Sequence, residues 1–260
     1  MRLGTGVIGA MWIIDTVFSL RGREKYVCLN YSGRRERNVP REVFESIMRG
    51  EKIIELDISR NNIDRLPPYF EKLSFVKVLD ASNNELKYIS DSILGLASLE
   101  KLNLNNNNLL YLPKEITLLE HLEELSVRNN QLRMLPEEIH NMDSLVRLDL
   151  GNNELAALPF GIGALDNLRI LNLEGNLFNT LPLILGYLEN LEKIIFTKNK
   201  RLRKIPRKLI EILADSKSLV LLDLRGNNRL REESSGDNVG WKELKNILGN
   251  KVKLSQEEEN

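Results

Sequence analysis

Leucine and asparagine recur along this chain at one fixed spacing. With Asn61 as a marker, an Asn stands every 23 residues, at positions 84, 107, 130, 153, 176 and 199. The same frame of apolar positions surrounds each marker. Copies of this frame begin at Ile53, Val76, Leu99, Leu122, Leu145, Leu168, Leu191 and, after a longer spacer, Leu219. A strict period of roughly 20 to 50 residues is the signature of a repeat protein.

Within each copy the pattern predicts a short strand, a turn and a second apolar segment. Leu102 and Leu104 alternate with polar residues, which is typical of a strand with one buried face. The marker Asn107 follows where the strand turns, and its amide can satisfy backbone groups inside the stack. The Leu112-Pro113 step then begins a helical or extended segment whose apolar residues point back to the same core.

One such unit cannot bury its apolar face alone, so neighbouring copies must share a core and pair their strands. We therefore predict an α/β solenoid that is curved, with a parallel β-sheet on its concave face and helical or extended segments on its convex face. Leu125 and Leu148 lie in the middle of this stack, and truncating either should leave a buried cavity. Leu254 lies outside the repeats, and we expect its truncation to cost far less.

The two ends of the chain depart from the repeat frame. Residues 26–52 fit it with Arg34 in place of the Asn, and we interpret them as a degenerate first repeat before the regular repeats of 53–230. Residues 1–25 are predicted to form an N-terminal segment or cap. Residues 231–260 are predicted to form a cap helix with an acidic tail. Terminal repeats are atypical because one of their faces meets solvent.

The pattern LxxLxLxxNxL followed by xxLPxxIxxL closely resembles the leucine-rich repeat over roughly residues 26–230. Its 23-residue period resembles the intracellular class found in Ras-associated scaffolds and in the repeat modules of fungal adenylate cyclase and a cytoplasmic deadenylase. The resemblance implies a cytoplasmic, non-enzymatic signalling scaffold whose partner is a small GTPase or a phosphatase complex. No segment resembles the catalytic domains of the cyclase or the deadenylase, so those activities do not carry over.

The first twenty residues leave a second cellular location open, namely secretion. An apolar run at 7–14 follows Arg2, as in a short signal peptide, but Asp15 interrupts it and no small-residue cleavage site follows Ser19. The run is too short to span a membrane. A secreted or cell-surface recognition protein is therefore the alternative to the cytoplasmic scaffold. Asn30 begins a glycosylation sequon, but a single such match arises easily by chance in an Asn-rich chain.

The net charge and the composition limit the classes of partner that the chain is expected to bind. The 37 Lys and Arg residues balance the 37 Asp and Glu residues, which argues against an obligate nucleic-acid binder. A single Cys excludes an intrachain disulfide and a multi-Cys metal site, and it fits a reducing compartment. We expect a monomer that binds a protein partner rather than nucleic acid or a membrane.

Catalytic, cofactor and metal sites are not predicted. The stretch from Gly4 to Gly9 matches G-x-G-x-x-G, but only three residues precede it and the βαβ unit that gives this motif its mechanism is absent. His121 and His140 have no ligating neighbour in sequence, and no activating partner is visible for Cys28. The prediction is therefore a protein without enzymatic activity, cofactor or metal.

The predicted partner-binding site is the outward-facing surface of the sheet. Positions that flank the inward Leu pair carry charges of both signs, and apolar residues join them toward the C-terminal copies. Apolar residues rimmed by cations suit a protein contact better than a sugar or nucleic-acid contact. The predicted partner-binding residues are Lys101, Arg128, Arg147, Asp149, Ile170, Leu177, Lys193, Ile195, Leu221 and Arg225.

A run of seven basic residues without an acid extends from Lys198 to Lys208. Such a run is usually a solvated loop. The alternative is that it binds the phosphates of anionic lipid or nucleic acid.

Overall fold

The structure is a computed structural model that describes residues 16–18, 25–230 and 234–254. Within these ranges, eleven strands form one sheet in chain order. They are β1 (Thr16–Phe18), β2 (Tyr26–Asn30), β3 (Lys52–Asp57), β4 (Val78–Asp80), β5 (Lys101–Asn103), β6 (Glu124–Ser126), β7 (Arg147–Asp149), β8 (Ile170–Asn172), β9 (Lys193–Ile195), β10 (Leu221–Asp223) and β11 (Val252–Lys253). β1 is antiparallel to β2, and β2 to β11 are parallel. The predicted α/β solenoid is confirmed.

The strands keep one register from copy to copy. Leu79, Leu102 and Leu125 are direct neighbours across β4, β5 and β6. Each strand from β4 to β10 is three residues long, and its middle residue is buried. Because side chains alternate across a strand, the first and third residues lie on the concave side of the sheet, although Asn172 and Asp223 are buried there.

The segment that follows each turn takes one of two helical forms. Six copies use a 3-10 turn, at Pro68–Lys72, Asp91–Gly95, Lys114–Leu118, Glu137–Asn141, Phe160–Ala164 and Leu183–Tyr187, and another 3-10 turn lies at Gly249–Lys251. The α-helices are α1 (Arg41–Met48), α2 (Arg207–Asp215) and α3 (Trp241–Leu248). A regular 23-residue copy has room for one turn only, whereas the longer spacer before Leu219 accommodates α2. We call the 3-10 segments of the repeats the outer turns.

The predicted cap regions are only partly described. The segment 26–52 contains β2 and α1, and Val43 of this helix is fully buried. The Gly4 to Gly9 stretch, the apolar run at 7–14 and the acidic tail at 255–260 lie outside the described residues. At the other end, Leu244 and Leu248 of α3 are buried.

A single apolar cluster runs through the whole stack. It includes Leu148, which is fully buried, and the rings of Phe178 and Phe196, whose centroids are 5.1 Å apart. Leu254 is only 5% exposed and belongs to the same cluster. It is buried because β11 extends the sheet beside β10, and the Leu224 N–H donates to the Lys253 carbonyl at 2.9 Å. The expectation that Leu254 contributes little was therefore wrong.

The marker asparagines form a ladder of hydrogen bonds inside the stack. The Nδ2 group of Asn130 donates to the carbonyls of Leu104 and Val127, both at 3.0 Å. Its Oδ1 atom accepts from the Leu109 N–H at 3.0 Å. Leu104 and Leu109 belong to the preceding copy, so one amide joins two copies. The same pattern holds at Asn61, Asn84, Asn107, Asn153 and Asn176.

The residue before each marker has a left-handed backbone. Values of φ lie between 51° and 77° at Arg60, Asn83, Asn106, Asn129, Asn152, Gly175, Lys198 and Gly226. Asn and Gly tolerate this conformation better than other residues, which explains the recurring Asn-Asn pairs in the sequence. At Gly175 an added Cβ would also collide with the side-chain oxygen of Asn152.

The ladder is incomplete in the last two copies. Asn199 and Asn227 still donate to buried carbonyls. Their Oδ1 atoms, however, are buried without a hydrogen-bond partner among the described residues. Both markers stand in the copies that carry a one-residue insertion, where Leu202 and Leu230 fall one step later than in the regular copies.

We expect Leu148→Ala and Leu254→Ala each to lower the free energy of unfolding by about 2–5 kcal/mol, because each removes a buried side chain and leaves a cavity. Val220 is 62% exposed and provides the control, since Val220→Ala should change stability by less than about 0.5 kcal/mol. Denaturant melts followed by circular dichroism measure all three variants. A loss at Leu254 no larger than the loss at Val220 would contradict the place of β11 in the core.

Asn130→Ala should lower the free energy of unfolding by about 2–3 kcal/mol, because it leaves the Leu109 N–H and buried carbonyls without partners. Asn108, an exposed neighbour of the ladder, supplies the control variant Asn108→Ala, which should be close to neutral. Native-state hydrogen exchange at the Leu109 amide should accelerate in the first variant alone. If the two variants are equally stable, the ladder does not hold the copies together.

Candidate protein-binding face

Two rows of outward-facing residues cross the concave surface. The first positions of β5 to β10 form one row, in the order Lys101, Glu124, Arg147, Ile170, Lys193 and Leu221. The third positions form another, in the order Asn103, Ser126, Asp149, Asn172, Ile195 and Asp223. Seven of the ten predicted partner-binding residues lie in these rows. Arg128, Leu177 and Arg225 lie on the loops after β6, β8 and β10, and Leu177 is half-buried rather than exposed.

Two of the predicted cations are paired within the sheet. The Nζ atom of Lys101 lies 2.6 Å from Oε1 of Glu124 on the next strand. Two nitrogens of Arg225 donate to the two carboxylate oxygens of Asp223, at 2.6 and 2.9 Å. A partner that recruited these cations would have to displace an existing acceptor.

Arg128 is also engaged, by a residue two copies away. Its Nη1 atom lies 2.8 Å from Oε2 of Glu174, and the Nζ atom of Lys198 lies 2.7 Å from Oε1 of the same carboxylate. Arg128 reaches Glu174 across Gly151, where an added Cβ would lie only 2.5 Å from the Arg128 Nη1 atom. Burial raises the pKa of Glu174, but the hydrogen bonds from Arg128 and Lys198 outweigh it, so the net pKa is lowered.

The acid or amide at the last position of each strand has a structural role in most copies. Oδ1 of Asp149 accepts from the Gly151 N–H at 3.0 Å. Equivalent bonds run from the backbone to Asp57, Asp80, Asn103, Asn172 and Asp223. These side chains hold the turn that follows each strand, so Asp149 is committed to the fold as well as being available at the surface.

Five residues of the predicted site remain uncommitted. Arg147 and Lys193 are exposed, and within the described part of the chain no hydrogen bond or ion pair engages their side chains. Ile170, Ile195 and Leu221 are half-buried, so they offer less apolar area than the sequence suggested. We call Arg147, Ile170, Lys193, Ile195 and Leu221 the concave patch. Along the first strand positions, its cationic and apolar side chains alternate in the order Arg147, Ile170, Lys193 and Leu221.

The basic run from Lys198 to Lys208 is not one uniform cationic surface. Arg207 donates to both carboxylate oxygens of Glu243 in α3, at 2.6 and 2.9 Å. Lys198 is paired with Glu174. A cavity of about 610 Å³ beside the run is lined by Arg203, Lys204, Arg229, Ser235 and Asn238. Part of the run thus stabilises the C-terminal end of the stack.

The candidate reactive or metal-binding residues are Cys28, His121 and His140. Burial, followed by the nearby carboxylate of Glu55, raises the pKa of Cys28 to about 11, so this residue is a thiol at neutral pH. His121 and His140 are exposed. Across the described ranges, no group of three or more His, Cys, Asp or Glu residues is placed to hold a metal ion. None of the described helices is both long enough and apolar enough to cross a membrane.

Sequence reasoning missed an apolar surface on the convex side. Phe160, Leu183 and Tyr187 are all exposed there, and His140 lies beside them. The signal was available, because the outer turns at 160–164 and 183–187 contain no charged residue. It was overlooked because apolar residues in these segments were assigned to the core.

Comparison with known proteins supports the same fold. Two family models described as leucine rich repeat match residues 51–109 and 121–142. No curated protein sequence matches the chain. A solved leucine-rich-repeat protein of Leptospira interrogans is 29% identical with a TM-score of 0.70, over 87% of this chain and 53% of that one. The present chain therefore spans about half the length of that protein.

More distant structures agree on the architecture alone. The plant peptide hormone receptor RGFR1 in complex with RGF2 is 23% identical with a TM-score of 0.59, covering 80% of this chain and 37% of that chain. The leucine-rich-repeat domain of the type III effector XopL is 23% identical with a TM-score of 0.58, covering 75% and 74%. The fold is a leucine-rich-repeat solenoid.

Glu174→Gln should lower the free energy of unfolding at pH 7 by about 1 kcal/mol, after allowance for solvent screening of a partly exposed group. Since the folded pKa of Glu174 is lowered, its contribution is present above the unfolded pKa and lost as the pH falls through the folded pKa. The difference between wild type and variant should therefore shrink as acid is added below about pH 4.5. Glu154→Gln, at an exposed pair with Arg133, should show no such difference at any pH.

Proposed function

We propose that this chain is a non-enzymatic protein-interaction module that binds a protein partner on the concave patch. Leucine-rich-repeat proteins generally bind protein partners, and the receptor complex among the structural neighbours is consistent with this role. The observation that carries the proposal is the row Arg147, Ile170, Lys193 and Leu221, whose two cations have no acceptor in the described part of the chain.

The chemistry of this row specifies the partner. Adjacent strands lie about 4.8 Å apart, so an extended or helical segment can contact several of them at once. Lys193 and Arg147 would pair with acidic side chains, and Ile170 and Ile195 would cover apolar ones. The strands are fixed by the packed core, so little conformational entropy is lost on docking. The proposed partner segment is therefore acidic with apolar positions.

For the biological setting, the 23-residue period supports a cytoplasmic signalling scaffold of the Ras-associated class, with a small GTPase or a phosphatase complex as partner. The alternative is a secreted or cell-surface recognition protein, which the apolar run at 7–14 favours. N-terminal sequencing of the mature chain separates the two, since loss of the residues before about Arg21 would indicate secretion.

We expect Ile195→Asp to weaken partner binding by about 2 kcal/mol or more, because it places a carboxylate in a desolvated contact that already attracts acids. Leu118→Asp, on an exposed outer turn, should bind normally. Affinity capture with the wild-type protein, followed by titration of the captured protein against each variant, measures the effect, and melting curves confirm that both variants are folded. Normal binding by Ile195→Asp would refute the concave site. If neutralising Arg203 and Lys204 abolished binding instead, the basic run would be the binding surface.

A further inference from the structure

Two consecutive outer turns present apolar side chains to solvent. The turns Phe160–Ala164 and Leu183–Tyr187 contain no charged residue, whereas each of the other four outer turns contains at least one. Phe160 is 79% exposed and Tyr187 is 61% exposed, and their ring centroids are 6.4 Å apart. Single exposed apolar side chains are ordinary on protein surfaces, but a contiguous group marks an interaction site.

These turns border a groove on the convex side of the solenoid. The groove has a volume of about 500 Å³, and its lining includes Phe160, Gly163, Ile184 and Tyr187 of the two turns and Glu137 and His140 of the preceding turn. We call it the outer groove. A concave apolar site of this size accommodates several side chains of a bound segment.

An exposed acid follows each of the outer turns that line the outer groove, and we call these acids the acid row. The three outer turns that line the groove are each followed two residues later by an exposed carboxylate, at Asp143, Asp166 and Glu189. Glu120 holds the same position after the preceding outer turn, which does not line the groove. The described residues provide no cation or side-chain hydrogen bond for these carboxylates. Hydrogen bonds hold the backbone carbonyls of all three acids: Asn167 donates to Asp143 at 2.8 Å, Asn190 to Asp166 at 2.9 Å, and the Ser218 hydroxyl to Glu189 at 2.7 Å.

We propose that the outer groove binds a segment of a protein partner that inserts apolar side chains between Phe160 and Tyr187 and pairs Lys or Arg side chains with the acid row. Apolar burial would supply the affinity, and the charges would set the orientation. An anionic membrane or a nucleic acid would meet the acid row with charge of the same sign, so neither fits this surface. The outer groove is separate from the concave patch, and its partner has the opposite charge.

A library of 16-residue peptides displayed on phage provides the probe. It is selected on the wild-type protein after depletion on the variant Phe160→Asp, which should remain folded because Phe160 is largely exposed. We expect enriched peptides to combine apolar residues with Lys or Arg. Titration of a synthetic enriched peptide should give binding that weakens as salt is raised, because exposed charges are screened.

The matched control is the variant Leu118→Asp. Leu118 occupies the same position of its outer turn as Tyr187 and is 55% exposed, but it does not line the groove. Tyr187→Asp should weaken the peptide by about tenfold or more, whereas Leu118→Asp should leave its affinity unchanged. Replacing the acid row by Asn and Gln should weaken binding and reduce its salt dependence. Ile195→Asp should have no effect, which separates this proposal from the one for the concave patch.

Several results would overturn the proposal. They are a selection that enriches no peptide, enrichment of acidic peptides, or equal binding to Tyr187→Asp and Leu118→Asp. Sedimentation that shows a dimer disrupted by Phe160→Asp would make a second copy of this chain the occupant. Binding of the wild-type protein to vesicles of anionic phospholipid, lost in Phe160→Asp, would make the groove a membrane contact.

Discussion

Each copy of this solenoid turns its backbone sharply after a short strand, of three residues from β4 to β10, and polar groups of that turn are buried. An unpaired buried N–H or carbonyl costs about 1–3 kcal/mol. The side-chain amide of the marker Asn supplies the missing hydrogen-bond partners. At Asn130 it donates to carbonyls of two copies and accepts from an N–H of the preceding copy. A spacing of 23 residues returns the amide to equivalent partners in every regular copy, and Asn227, which follows a longer spacer, keeps the donor contacts but has no partner for its Oδ1 atom among the described residues.

The sheet and the outer turns provide two surfaces of different character. The concave patch sets Arg147 and Lys193 beside half-buried apolar residues. The convex side sets apolar rings beside Asp143, Asp166 and Glu189. Each copy contributes a strand to the concave side and an outer turn to the convex side, so the same repeats carry both surfaces. The proposed partners differ in charge, so the protein could hold an acidic and a basic segment together.

The repeat frame was readable from the sequence because burial imposes the same residue type at the same step of every copy. The form of the outer segments was less predictable, since it depends on how many residues remain after the turn. The pairing of Lys101 with Glu124 could have been inferred, because opposite charges 23 residues apart fall on neighbouring strands. The pairing of Arg128 with Glu174 could not have been inferred, because these residues are two copies apart and the contact passes over Gly151, which has no side chain. Availability of a cation for binding is thus a property of three-dimensional contacts.

The contact between Arg128 and Glu174 also affects how the solenoid opens. Repeat arrays normally exchange energy only between adjacent units, so they can fray one unit at a time. This ion pair skips a copy, and Lys198 extends it to a third. The copies that begin at Leu122, Leu145, Leu168 and Leu191 therefore have a second-neighbour coupling, which favours their opening together as one block. The concave patch lies largely within that block, and its geometry is protected from fluctuations that begin at either end of the chain.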